Sequence, residues 1–237
     1  MYETLLSIGG FSIFLLAITQ LTDSRPLFTI PTTKGPALYQ NSTVPYFWLM
    51  TFAFIIPLCF VFLMMRNENV TFPALRCFYL FAMYDSLLGA TGITEFLKYI
   101  VSKKRPDYVS RQEVIKKMKA NDEFISARYE EINGTKSFPS GHTASISTFT
   151  VTMPFVLKKE KYSKSKIVGC FIVFWCITII VGATRISDNK HDITDVIVGG
   201  LIGVIIAVLV VKLVNKKIKE YEAQNVLTED LGSKRNI

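Results

Sequence analysis

The sequence predicts an all-α integral membrane protein, a bundle of six transmembrane helices. Of its 237 residues, 50% are hydrophobic, and the mean hydropathy of +0.33 is too high for a water-soluble domain of this length. Charged residues make up 19% of the chain and are concentrated between long apolar runs. Because a helix needs about 20 apolar residues to cross the hydrocarbon core of a bilayer, these runs indicate membrane spans. The composition also excludes a disordered or low-complexity protein.

Six apolar runs follow one another along the chain, and each is bounded by charged or turn-forming residues. They are Leu5–Leu21, Tyr46–Met65, Phe72–Val101, Thr143–Leu157, Ile167–Ala183 and Ile193–Val214. The first run has no basic segment before it and no small-residue cleavage site before Asp23, so it predicts an uncleaved helix rather than a signal peptide. The sixth run contains Gly199 and Gly203, a pair suited to close helix contact.

The fourth run is short and rich in Ser and Thr, so on its own it also fits a buried helix of a soluble protein. The lysines of residues 158–166 and the long fifth run behind them favour a chain that turns back at an interface. Since no repeat or linker interrupts the sequence, residues 1–237 are expected to form one membrane domain. Residues 215–237 are expected to be its short polar tail in the cytosol.

Orientation is predicted from basic residues and sequons. Lysines crowd residues 158–166 and follow the sixth run, and basic loops tend to face the cytosol, so both termini are predicted to be cytosolic. The loop of residues 102–139 is equally basic and lies on the opposite side. Asn41 and Asn133 begin sequons in loops on that non-cytosolic side and are predicted to be glycosylated, whereas Asn69 would be cytosolic and unused. The membrane, plasma membrane or endoplasmic reticulum, is left open.

The chain carries a formal net charge of +8, and this basic excess flanks the apolar runs. Basic residues beside helices of membrane length favour contact with lipid headgroups or an anionic substrate. We therefore expect a membrane and no nucleic acid as the partner.

The first polar cluster leaves the third run and reads Lys98-Tyr-Ile-Val-Ser-Lys-Lys-Arg105-Pro106. On a helix, positions seven apart share one face two turns apart, so Lys98 and Arg105 are predicted to reach one site before Pro106 ends the helix. Glu95, three residues before Lys98, is its expected partner on that face. Taken alone, the cluster also fits basic side chains that snorkel at an interface.

The second cluster, Pro139-Ser140-Gly141-His142, opens the fourth run. Pro and Gly favour a tight turn whose backbone N–H groups, with the N-terminus of the following helix, form an anion site. His142 would then stand beside the bound anion. The alternative is a helix-start turn with an interfacial histidine.

The third cluster lies between the fifth and sixth runs and contains Thr184-Arg185 and His191-Asp-Ile-Thr-Asp195. His191 and Asp195 are four apart and are predicted to share one face of a starting helix. There the carboxylate would accept a hydrogen bond from one ring nitrogen and leave the other as a nucleophile. A helix cap with its satisfied partner is the alternative.

All three clusters fall at the non-cytosolic ends of predicted spans, and they contain both histidines of the chain. Two histidines, three cations and an anion-binding turn therefore converge on one membrane face. Histidines and carboxylates also suggest zinc, but Lys98, Arg105 and Arg185 would repel a cation. The sequence thus predicts an active site for an anion at the non-cytosolic face, with no metal and no cofactor.

In order and spacing the three clusters resemble the signature of the type-2 phosphatidate phosphatase superfamily, which reads K-x6-RP, then PSGH, then SR-x5-H-x3-D. One position departs from it, since Thr184 stands where the family usually has Ser, and Thr keeps the hydroxyl. Longer segments look like the eukaryotic lipid phosphate phosphatase branch, namely TEFLKYIVSKKRP from Thr94, SFPSGH from Ser137 and RISDNKHDITD from Arg185. The resemblance is specific for the superfamily and weak for the substrate.

The resemblance implies hydrolysis of a phosphomonoester through a phosphohistidine intermediate. His191 would attack phosphorus, oriented by Asp195, and His142 would act as general acid and then as general base. The remaining motif residues would hold the phosphoryl oxygens; they are Lys98, Arg105, Ser140, Gly141, Thr184 and Arg185. Fixed cations would neutralise the charge of the transferred group, so no metal would be required.

The implied substrate is amphipathic, because the site lies at the interface and acyl tails can stay in the bilayer. Phosphatidate, lysophosphatidate, ceramide 1-phosphate and sphingosine 1-phosphate all qualify. Polyprenyl or diacylglycerol pyrophosphates, a sugar phosphate, lipid phosphotransfer and a non-catalytic lipid scramblase or scaffold are the alternatives. Assembly into a homo-oligomer is also left open.

Overall fold

The structure is mostly helical, as the sequence predicts. It is a computed structural model that describes residues 26–33, 35–65 and 74–235, so the first apolar run and the Asn69 sequon lie outside the described residues. The elements, in chain order, are β1 Phe28–Thr29, α1 Tyr46–Met65, α2 Ala74–Ile100, β2 Val101–Ser102, α3 Tyr108–Ala120, α4 Phe124–Gly134, α5 Gly141–Ser147, α6 Phe149–Lys159, α7 Lys164–Ser187 and α8 Ile193–Arg235.

Among the described residues, three helices are long and apolar enough to cross a membrane. Their apolar windows are Tyr46–Leu63, Lys164–Ser187 and Ile193–Asn225. On α7, large apolar side chains such as Ile172, Ile179 and Ile180 are exposed. Exposed apolar surface of this kind suits a lipid environment, where every backbone polar group is satisfied inside its own helix. The polar tail after Val214 continues α8 as helix to Arg235.

The fourth apolar run is divided into α5 and α6 at Thr148. Hydroxyl groups around the break donate to carbonyls three residues back, from Ser147 to Ala144 and from Thr148 to Ser145. Such bonds compete with the helical ladder and bend helices. Since residues 143–147 are all buried, α5 lies inside the bundle, which explains why this run is short and rich in small hydroxyl residues.

Helix α5 crosses α8 at the two glycines. A Cβ atom on Gly199 would overlap the carbonyl oxygen of Ser140, and one on Gly203 would overlap the carbonyl oxygen of Ala144. The close contact predicted for this pair is therefore confirmed, and its partner is α5. Around it, apolar side chains from several helices form the core; they include Phe78, Met83, Phe149, Met153 and Val214.

A segment that we call the strap, residues 26–33 and 35–45, runs over the end of the bundle that carries the three motifs. Its strand β1 pairs in parallel with β2, Phe28 opposite Val101. Further along, the Ala37 amide donates to the carbonyl of Pro106 at 3.0 Å, and Asn189 donates to the carbonyl of Leu38 at 3.1 Å. The strap is thus attached both to the chain after α2 and to the chain before α8.

The loop of residues 102–139 contains two helices. Apolar residues there recur at helical spacing, and they fall on α3 and α4 on either side of a turn at residues 121–123. Asp122 in this turn has a φ of 61°. This left-handed conformation cannot continue a right-handed α-helix. Phe124 and Ile125, at the start of α4, are exposed.

Candidate active site

His191 lies two residues before α8, because the helix begins at Ile193. The prediction that His191 and Asp195 share one helix face is therefore wrong, although the two side chains do meet. Asp192 and Asp195 form a reciprocal capping box in which each carboxylate accepts the other residue's backbone N–H at 3.1 Å. This box explains why the helix starts after His191 and not at it.

The Nδ1 atom of His191 is 3.6 Å from Oδ2 of Asp195, too far for a hydrogen bond. In the described part of the chain this Nδ1 has no hydrogen-bond partner. Asp195 is fully buried, and the same Oδ2 accepts a bond from the hydroxyl of Ser137 at 2.5 Å. Hydrogen bonds between catalytic groups often tighten only when the ligand binds.

His142, the second residue of α5, points at the strap. Its Nε2 atom lies 3.0 Å from the carbonyl oxygen of Val44, and its ring packs against Tyr46 with 5.2 Å between centroids. Arg185 donates to the same carbonyl at 2.9 Å and to the hydroxyl of Ser42 at 3.1 Å. One backbone oxygen therefore joins a predicted acid–base residue to a predicted phosphate-binding residue.

Lys98 reaches the site from a helix, whereas Arg105 reaches it from the chain beyond that helix. Lys98 is in the last turns of α2 and pairs with Glu95 at 2.5 Å, as predicted. Arg105 lies beyond the helix, which ends at Ile100, so the prediction that both residues lie on one helix is wrong. The helix ends early because the chain pairs as β2 with the strap, and the Arg105 amide then donates to the carbonyl of Gly134 at 2.9 Å.

These side chains open into one cavity of about 330 Å³. Five of the nine predicted catalytic and phosphate-binding residues line it: Lys98, Arg105, His142, Arg185 and His191. The strap contributes Ser42 and Pro45, α1 contributes Tyr46, and α4 contributes Tyr129 and Asn133. Asn133 is half-buried there, whereas Asn41 on the strap is exposed.

The other four predicted catalytic and phosphate-binding residues lie outside this lining. Asp195 is behind His191. Ser140 is fully buried and its amide donates to the carbonyl of Asp195 at 2.9 Å, so this N–H is already occupied. Gly141 follows it at the start of α5. The hydroxyl of Thr184 bonds back to the carbonyl of Val181 within α7 at 2.7 Å.

Burial and neighbouring cations favour the neutral form of both histidines. Burial lowers the pKa of His191 to about 4, and Arg105 and Lys98 act in the same direction, against Asp195. Burial also lowers the pKa of His142 well below its usual value, helped by Arg185. Burial and then the charge of Arg111 lower the pKa of Arg105 to about 10, which leaves that guanidinium charged at neutral pH.

A second group of charged residues surrounds Asp107, and its members Arg111, Glu130 and Lys190 also line the cavity. Asp107 is fully buried and accepts from Arg111 at 2.7 Å and from Lys190 at 2.9 Å. Arg111 also pairs with Glu130 of α4. Lys190, beside His191 in the chain, lies 4.0 Å from the ring centre of Tyr39 on the strap.

Sequence reasoning missed Lys103, Asp192, Ser137 and Asp107. Asp192 carried a readable signal, since an acidic residue three positions before another acidic residue at a helix start is typical of a capping pair. Lys103, Ser137 and Asp107 lie in the loop of residues 102–139, and the partners that connect them to the third motif are distant along the chain. In the described ranges no group of three or more His, Cys, Asp or Glu side chains is placed to hold a metal ion.

Comparison with known proteins places this arrangement in a family. Residues 77–219, well over half of the chain, match the PAP2 superfamily. The chain is 26% identical over 217 residues to phospholipid phosphatase 1 of Rattus norvegicus, across 81% of this chain and 76% of that protein. It is 24% identical over 186 residues to probable lipid phosphate phosphatase 4 of Arabidopsis thaliana, across 71% of this chain and 57% of that protein. No solved structure gives a significant match.

Proposed function

We propose that this chain, which belongs to the PAP2 superfamily, is a membrane phosphatase that hydrolyses phosphomonoesters of lipids. The observation that carries the proposal is the cavity that both histidines share with Lys98, Arg105 and Arg185. The names of the two relatives, a phospholipid phosphatase and a probable lipid phosphate phosphatase, support a lipid phosphate as the substrate. Phosphatidate, lysophosphatidate, ceramide 1-phosphate and sphingosine 1-phosphate are the proposed substrates.

His191 is the proposed nucleophile. Its Nδ1 faces Asp195, so Nε2 is the nitrogen left to attack phosphorus. As the Nε2–phosphorus bond forms, the bond from phosphorus to the lipid oxygen breaks and a phosphohistidine results. A water molecule then attacks phosphorus, inorganic phosphate leaves, and His191 returns to its neutral form.

His142 is the proposed general acid for the first step and general base for the second. It donates a proton to the departing lipid alkoxide and then takes one from the attacking water. Burial and Arg185 lower its pKa. A bound phosphate dianion offsets the charge of Arg185 and Lys98, so we expect substrate binding to raise this pKa and to load the proton that the first step needs.

Lys98, Arg105 and Arg185 are the proposed holders of the phosphoryl oxygens. All three line the cavity, and phosphoryl transfer depends mainly on positioning and on neutralising charge. Cations fixed by the fold perform this task without reorganising during the reaction. We therefore propose a reaction that is independent of metal ions.

The proposed topology has six spans, both termini in the cytosol and the cavity at the non-cytosolic face. The exposed apolar side chains of α1, α7 and α8 are then in contact with lipid. A lipid substrate reaches the cavity with its tails still in the bilayer, which explains why a phosphatase for such substrates is built from membrane helices. Plasma membrane and endoplasmic reticulum are the proposed locations.

The test is phosphate release from a panel of lipid phosphates by the purified full-length chain in detergent micelles. We expect turnover to persist in EDTA and to stop when vanadate is added. His191→Ala should be inactive, and Lys104→Met, an exposed basic residue of the same loop, should behave as wild type. No release from any lipid phosphate would refute the function, and activity lost in EDTA and restored by Mg²⁺ or Zn²⁺ would refute the metal-independent mechanism.

A further inference from the structure

Lys103 is a buried cation that the motif residues do not include. Its side chain is 1% exposed, and it is absent from the lining of the cavity among the described residues. Its ammonium group donates three hydrogen bonds: to Asp192 at 2.6 Å, to Asp195 at 2.7 Å and to the hydroxyl of Thr194 at 3.0 Å. An ammonium group has three N–H donors, so Lys103 has none left for substrate.

The contact with Asp195 fixes the orientation of that carboxylate. Lys103 binds Oδ1, while Oδ2 accepts from the hydroxyl of Ser137 and from the amide of Asp192. With Oδ1 held by a cation, Oδ2 is the oxygen that faces His191, 3.6 Å from its Nδ1. Rotation of the Asp195 carboxylate would break the bond to Lys103 and turn Oδ2 away from the imidazole of His191.

Lys103 also balances the charge behind the nucleophile. Asp192 and Asp195 are both buried, and two buried carboxylates without a cation would repel each other. Burial on its own would raise the pKa of Asp192, but hydrogen bonds from Lys103, Thr194 and Thr33 lower it overall. One carboxylate charge of the group is thus offset by Lys103, which leaves about one negative charge to face His191.

The backbone of Lys103 is held on both sides. Its amide donates to the carbonyl of Thr135 at 3.0 Å, and its carbonyl accepts from the amide of Ser137 at 3.0 Å. The two side chains that clamp Asp195, those of Lys103 and Ser137, therefore come from neighbouring, directly bonded segments. This rigid support suits a residue that sets the position of another group.

We propose that Lys103 is a positioning residue for the nucleophile, holding Asp195 in the orientation that directs His191 toward the substrate phosphorus. The inference rests on the proposed phosphatase function and extends it to a residue that does not touch the substrate. Lys103 acts through Asp195, so a variable position of the first motif, between Lys98 and Arg105, supports the third motif.

The test compares Lys103→Met and Lys103→Arg with wild type in the same micelle assay. Lys103→Met should lower kcat by about 10²-fold, the scale of a misplacement of about 1 Å, with KM changed by less than about threefold because the phosphate-binding cations are intact. Lys103→Arg, which keeps the charge, should recover at least a tenth of the wild-type kcat. Lys104→Met is the matched control. Lys104 is the next residue in the chain and is exposed, so its substitution should leave kcat unchanged.

A double-mutant cycle separates positioning from a general loss of structure. If Lys103 acts through Asp195, Lys103→Met should add less than about twofold to the defect of Asp195→Asn, because coupled residues are not additive. The defect should also persist with an activated aryl phosphate, since the nucleophile is misdirected whatever the leaving group. Should Lys103→Met yield no folded protein by gel filtration, Lys103→Gln, which keeps a donor, replaces it in the cycle.

Two results would overturn the inference while leaving the phosphatase function intact. One is a folded Lys103→Met protein with wild-type kcat. The other is an equal fold-loss in the wild-type and Asp195→Asn backgrounds. A wild-type protein that releases no phosphate from any lipid would instead refute the proposed function, and the role of Lys103 with it.

Discussion

We expect the proposed catalysis to be sensitive to one added methyl group at Gly199, where α5 closely approaches α8. In Gly199→Ala the new Cβ would overlap the carbonyl oxygen of Ser140 and would lie 3.1 Å from its carbonyl carbon. Restoring ordinary contact at about 3.5 Å requires the Ser140 backbone to move away from α8 by about 1 Å. Ser140 cannot yield by changing a side-chain rotamer, because the atoms that clash belong to its backbone.

That shift acts directly on the site. It breaks the 2.9 Å hydrogen bond from the Ser140 amide to the carbonyl of Asp195, and it moves His142, two residues further on, relative to His191. A misplacement of about 1 Å costs about 10²-fold in rate, whereas overpacking costs about 1–3 kcal/mol of stability. We therefore expect Gly199→Ala to remain folded and to lose about 10²-fold in kcat.

The assay is phosphate release from a lipid phosphate in micelles, with gel filtration and thermal unfolding as checks on the fold. Gly200→Ala is the matched control, since its Cβ would meet the nearest side-chain atom of Thr143 at 3.5 Å, an ordinary contact. It should keep the wild-type kcat within about twofold. A Gly199→Ala protein as active as Gly200→Ala would refute the reasoning.

The two histidines and the sequons provide the remaining tests. His191→Ala should form no phosphoenzyme, whereas His142→Ala should still be phosphorylated by an activated aryl phosphate, whose leaving group needs little protonation; label on His142 in the His191→Ala protein would reverse the two roles. Burial lowers the pKa of His191 from 6.5 to about 4. As the pH falls, His191 is therefore protonated at a higher pH in the unfolded chain than in the folded one. The free energy of unfolding should therefore decrease from pH 6.5 toward pH 4, and less steeply in His191→Gln; equal slopes in thermal unfolding would contradict a buried neutral imidazole. In a eukaryotic host, Asn41→Gln and Asn133→Gln should each remove the mass of one glycan and Asn69→Gln none; the opposite pattern would invert the topology.

The sequence predicted which motif residues lie close together better than it predicted the secondary structure of their segments. Lys98, Arg105, His142, Arg185 and His191 do share one cavity, as their positions at the ends of the predicted spans led us to expect. The helical spacings used to join Lys98 to Arg105 and His191 to Asp195 were wrong. In each pair one residue lies outside the helix, where pairing with the strap or a capping box decides the backbone.

The supporting residues could not be predicted, because their contacts depend on tertiary structure. Lys103 meets Asp195 across 92 positions of the chain, and Thr43 of the strap meets Asp188 across 145. No local sequence pattern predicts such pairs, since a polar residue in a loop on its own predicts an exposed position. The Gly199–Gly203 contact could be predicted as close packing, but its partner helix could not.

The carbonyl of Val44 forms hydrogen bonds with both His142 and Arg185. These two bonds bear on where a truncated protein should begin. The family match begins at residue 77, so a truncated protein designed from it would omit the strap. Its His142 and Arg185 would lose the carbonyl that fixes both of them, and Asp188 would lose its two bonds from Thr43. The candidate site therefore extends upstream of the region by which the family is recognised, and fragments meant for activity tests should begin before the strap.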